Sequence, residues 1–63
     1  MIAFYVRRIL AEKMELGDVP SRWYEAVREA LINEYVARIR ADEMTLDEVP
    51  EELREDVRKA LEG

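Results

Sequence analysis

The chain has no cysteine and no histidine, only two glycines and two prolines, and a single phenylalanine and tryptophan. Neither a disulfide nor a zinc site built on those ligands can staple the fold. The lack of cysteine also agrees with a reducing, cytoplasmic setting. Long apolar runs are missing as well. Ile2–Val6 is cut off by Arg7 and Arg8, too short for a signal-peptide core and far too short to span a bilayer. Positive charge is in deficit. Ten basic against fifteen acidic side chains leave a net charge of −5, which disfavours direct nucleic-acid binding. A chain of 63 residues is expected to form one small helical domain over residues 1–63. Such a chain buries only about 60% of the surface it exposes when unfolded. A core of that size rarely supplies more than about 3–5 kcal/mol. Helix packing must hold the molecule, and a partner chain is expected to contribute.

What the chain does contain is a repeated stretch. Aligning residues 2–31 with residues 32–61 pairs fifteen identical residues out of thirty, without a gap. Met14-Glu15-Leu16-Gly17-Asp18-Val19-Pro20 returns as Met44-Thr45-Leu46-Asp47-Glu48-Val49-Pro50. Ile2, Tyr5, Val6, Arg8 and Ile9 return as Ile32, Tyr35, Val36, Arg38 and Ile39. An internal period of this length marks a supersecondary unit used twice. Charge is not repeated with it. Residues 1–31 carry five basic and five acidic side chains, whereas residues 32–63 carry five and ten.

The apolar spacing of Ile2, Tyr5, Val6 and Ile9 predicts a first helix over about residues 2–13. Gly17 loosens the backbone that follows, and Val19 is pushed toward an extended conformation by Pro20. Proline suits the first turn of a helix, so a second helix should restart at about Pro20. No strong breaker interrupts residues 21–43, so that helix is expected to run to about Glu43. Its stripe of Trp23, Val27, Ala30 and Leu31 lies roughly 120–150° from that of Ile32, Tyr35, Val36 and Ile39, at about 100° per residue. One helix would then serve two apolar faces, unless a kink at Asn33 separates them. Thr45 and Glu48 have the spacing of a capping box, and a last helix should span about Pro50–Leu61. Glu34–Arg38 and Glu55–Lys59 are the expected i,i+4 ion pairs. The fold class expected is all-α: two tandem helical hairpins, counted as three helices when the central join is continuous.

The carboxylates do not assemble into chemistry. Asp47, Glu48, Glu51 and Glu52 crowd a helix start, where the dipole favours them and solvent surrounds them. A calcium loop needs Asp-rich spacing and a central glycine that this stretch lacks. No nucleophile–base pair or phosphate-cradling glycine run occurs, so no enzyme, cofactor or metal is expected. Aromatic and aliphatic stripes at helical spacing read as core, including Tyr5, Tyr35, Trp23 and the turn residues.

The positions where the halves disagree are the informative ones. Phe4, Leu10 and Tyr24 stand where the second half has Glu34, Arg40 and Arg54. Sites that tolerate full charge in one half should be partly exposed in both. Their apolar occupants either cover a seam within the chain or form a patch for a partner. Phe4, Leu10, Trp23 and Tyr24 are therefore the candidate interface residues, with a homodimer the expected assembly and another protein the second choice. The function expected is a non-enzymatic interaction or assembly module. The alternative is an acidic inhibitor that occupies a basic groove of a nucleic-acid-handling protein. Membrane binding is disfavoured, because the acidic second half would be repelled by an anionic surface.

Thr45-Leu46-Asp47-Glu48-Val49-Pro50, followed by an amphipathic helix ending Val57-Arg58-Lys59-Ala60-Leu61, resembles XkdX-like and related short prophage proteins encoded among phage tail genes. The likeness covers Tyr35–Leu61 well and Tyr5–Leu31 less well, since Glu15 and Gly17 replace Thr45 and Asp47. It implies a small phage-associated helix–turn–helix protein without enzymatic activity, cytoplasmic or virion-associated. It transfers no functional residue.

Overall fold

The computed structural model describes all 63 residues and contains three α-helices and no strand. Helix α1 spans Ile2–Leu10, α2 spans Ser21–Arg40 and α3 spans Glu51–Glu62. One turn of 3-10 helix precedes each of the last two, at Leu16–Asp18 and Leu46–Glu48. The protein is all-α, with α2 running without interruption through Asn33. Two compact units are distinguished, Met1–Leu31 and Ile32–Gly63.

Both connections are built in the same way. Val19 and Val49 are extended, at φ/ψ of −76/136° and −75/137°, the conformation that a following proline imposes. Pro20 and Pro50 then stand just outside the helices rather than inside them. Their carbonyls accept the first helical bonds, from the Trp23 N–H at 2.9 Å and the Leu53 N–H at 3.0 Å. Each 3-10 turn is closed by a carboxylate. Asp18 accepts from the Glu15 N–H at 3.0 Å, and Glu48 accepts from the Thr45 N–H at 2.8 Å. The Thr45/Glu48 pair is legible as a capping box. Its partner in the first turn is not, because Glu15 and Asp18 depart from the usual residue types.

Helices α1 and α2 end earlier than their apolar spacing predicts, at Leu10 and Arg40 rather than near Lys13 and Glu43. The reason is a left-handed residue at each end. Glu12 and Asp42 both have φ of 62°. The Glu12 N–H donates to the Ile9 carbonyl at 3.0 Å and the Lys13 N–H donates to the Arg8 carbonyl at 2.9 Å. The same two bonds recur from Asp42 to Ile39 and from Glu43 to Arg38, at 3.0 and 2.8 Å. This pair of backward bonds is the Schellman arrangement, which normally recruits glycine. Gly17, by contrast, does not have a positive φ and has open space around it; its counterpart is Asp47, so the turn does not depend on a glycine there.

A left-handed conformation costs a side-chain-bearing residue about 1–2 kcal/mol, part of which glycine's greater unfolded entropy offsets. Glu12→Gly is therefore expected to stabilise the protein by about 0.5–1 kcal/mol, raising Tm by roughly 2–8 °C in a chain of this size. Asp42→Gly should gain less, because aspartate tolerates this region better than glutamate. Thermal melts followed by circular dichroism check this, and an unchanged or lower Tm for Glu12→Gly refutes it.

Within the first unit Leu16, Val19, Val27 and Leu31 are buried, while Tyr5, Val6, Ile9 and Trp23 are only half-buried. Within the second unit Tyr35, Val36, Val49, Leu53 and Val57 are buried. No polar or charged residue is buried in either. Val27, Leu31, Val49 and Val57 are the most completely enclosed side chains. Along α2 the buried positions step from Val27 and Leu31 to Tyr35 and Val36.

Candidate interaction surface

Helix α1 carries the sequence Ile-Ala-Phe-Tyr-Val-Arg-Arg-Ile-Leu and contains no acidic residue. Ile2, Tyr5, Val6, Ile9 and Leu10 are half-buried and none is fully covered. In the second unit the counterparts of Tyr5 and Val6, Tyr35 and Val36, are buried. The apolar stripe of α1 is thus the less sheltered of the two copies.

The opposite side of α1 is exposed along its whole length. At about 100° per residue, Ala3, Phe4, Arg7 and Arg8 share that side, and all four are exposed. Phe4 retains 49% of its accessible surface, and Met1, which precedes the helix, retains 68%. The Met1 carbonyl accepts the first bond of the helix, from the Tyr5 N–H at 3.3 Å. The Phe4 ring meets Tyr5 edge-on, with centroids 5.7 Å apart and planes at 69°. The Arg8 guanidinium lies over the Phe4 ring, 5.7 Å from its centroid.

The same positions in the second unit carry a different interaction. Glu34, in place of Phe4, accepts a hydrogen bond from Arg38 Nε at 2.9 Å. There the arginine is neutralised; in α1 it faces a π surface that attracts it without cancelling its charge. Arg7 adds a second cation where the other unit has Ala37.

Of the four residues singled out from the sequence, only Phe4 is exposed. Leu10, Trp23 and Tyr24 are half-buried. The expectation that charge in the second copy marks partly exposed positions holds at Arg54, the counterpart of Tyr24, but it does not reveal what the charged group touches. Arg54 is half-buried, and its Nη2 donates to the carbonyls of Asp47 and Val49 at 3.2 and 2.8 Å. Its Nε is buried without a partner. This guanidinium ties the second turn to α3, so its position is one of turn support. Long cationic side chains can serve such a role because their alkyl stems pack while their heads reach polar groups.

Exposed carboxylates are concentrated in the second unit. Asp42, Glu43, Asp47, Glu48, Glu51, Glu52, Glu55 and Glu62 are all exposed. Glu55 pairs with Arg58, three residues on, rather than with Lys59, and Arg58 also pairs with Glu62. The bidentate fork explains the choice, since guanidinium can hold two carboxylates at fixed angles and an ammonium cannot. The Arg58 hydrogen bond holds the Glu55 carboxyl below its ordinary range, and the Glu55 bond in turn raises the Arg58 guanidinium. No group of three or more carboxylates is arranged to hold a metal ion. No helix is long and apolar enough to cross a membrane.

Comparison with protein-family models, with curated proteins and with solved structures yields no match.

Proposed function

We propose that the protein is a non-enzymatic interaction module that self-associates through α1, most simply as a homodimer. The observation that supports this is the exposure of the outer face of α1. A half-exposed phenylalanine on the helix that buries none of its residues, with an exposed methionine at its N-cap, is the kind of surface that proteins cover with a partner. Aromatic and arginine side chains are enriched at interface centres. Phe4 is the anchor of this surface. Leu10, Trp23 and Tyr24, half-buried, border it at most. A phage-associated role remains tied to the turn sequence Thr45–Pro50 and its resemblance to XkdX-like proteins.

The acidic-inhibitor reading has less to draw on. Arg58 pairs with both Glu55 and Glu62, which neutralises part of the charge available to a basic groove.

Phe4→Glu tests the self-association reading, since the second unit shows that a glutamate at this position fits the helix beside its arginine. Sedimentation at micromolar concentration should show the wild-type chain at twice its 7.5 kDa mass and the variant as a folded monomer. The wild-type Tm should rise with protein concentration and that of the variant should not. A wild-type chain that is monomeric, with concentration-independent melting, overturns the reading.

A further inference from the structure

We propose that the outer face of α1 docks on the acidic start of α3 in a second copy of this chain, which returns the same contact. This rests on the self-association reading and adds which surface meets α1 and what selects it.

The two faces differ in charge and neither is neutralised locally. On α1, Arg7 and Arg8 are exposed on a helix without a single carboxylate. Arg8 faces the Phe4 ring rather than an anion. Around the start of α3, Asp47, Glu51 and Glu52 are exposed. The cations nearest in sequence are committed elsewhere: Arg54 to the carbonyls of Asp47 and Val49, Arg58 to Glu55 and Glu62. The first unit is electrically neutral and the second holds the whole net charge of −5. A pairing of like units would set acid against acid in the second unit. A pairing of α1 with α3 sets arginine against glutamate in both halves of a two-fold dimer, because each chain offers both faces.

Bulk on this face is low beside the aromatic ring: Ala3 precedes Phe4 on the outer face of α1, and Arg7 and Arg8 follow one turn on. A bilayer surface is the competing occupant for a helix with arginines and aromatics. It would have to accept the acidic second unit, which an anionic headgroup layer repels.

The experiment uses charge reversal in the full chain. Arg7→Glu with Arg8→Glu, and separately Glu51→Lys with Glu52→Lys, should each weaken self-association by about tenfold or more, as juxtaposed like charges do. Mixing the two variants should restore a dimer, because each then offers the charge that the other lacks. All four positions are exposed, and circular dichroism verifies that both variants fold. Arg7→Gln with Arg8→Gln should weaken the dimer by less than reversal does, and added salt should weaken the wild type. A wild-type dimer indifferent to both reversals and to salt overturns this pairing but leaves self-association standing. A wild-type monomer overturns both. Co-sedimentation with phosphatidylserine vesicles, lost on reversing Arg7 and Arg8 and without any dimer in solution, overturns the pairing in favour of a lipid surface.

Discussion

Leu31→Ala is expected to remove most of the chain's stability at 25 °C. Leu31 has no accessible surface and is the bulkiest of the fully enclosed side chains. Truncating a buried leucine to alanine removes about 2–5 kcal/mol, the transfer energy of the lost methyl groups together with the cavity left behind. A domain of this length has only about 3–5 kcal/mol from its core. Nothing covalent is present to offset the loss, since there is no disulfide. The position also lies within the uninterrupted α2, so a helix that frays here loses order on either side. Urea denaturation checks the outcome. A midpoint within about 10% of wild type, with the slope unchanged, would mean that Leu31 is far less important than its enclosure indicates.

Val57→Ala should cost about 2 kcal/mol, lowering Tm by roughly 8–16 °C. The estimate takes two methylene equivalents at about 0.8 kcal/mol each with a small cavity term, and about 4–8 °C per kcal/mol for a chain of this size. Val57 has no accessible surface, and neither does its counterpart Val27. Val27→Ala should therefore produce a loss of similar size. A difference of several-fold between the two valines, measured by the same melts, would show that equal enclosure does not mean equal packing.

Both prolines and the valines before them announce the connections from residue types alone, so the starts of α2 and α3 are legible to within one residue. The stops of α1 and α2 are not. Their signal is a left-handed glutamate and a left-handed aspartate, residues that ordinarily say nothing about helix ends, while the glycine that draws attention, Gly17, needs no special conformation. The core reads well where both copies are apolar, as at Val27/Val57 and Val19/Val49. It reads less well at Tyr5 and Val6, because spacing reveals which side of a helix is greasy but not how fully it is covered. For the candidate surface, comparison of the two halves isolates Phe4 correctly as an exposed aromatic. At Tyr24 the comparison indicates partial exposure correctly but not the contact made by its counterpart Arg54, which braces backbone carbonyls. A formal charge in the alignment does not reveal what the charged group touches.

One tryptophan serves the whole chain, half-buried in the first turn of α2. Its emission therefore watches Met1–Leu31 from inside, whereas far-ultraviolet ellipticity sums all three helices. If the two optical signals move together on heating, the halves melt as one cooperative object. If fluorescence leads or lags, they do not, and Trp23 would have served as a built-in dye for one of two otherwise similar copies.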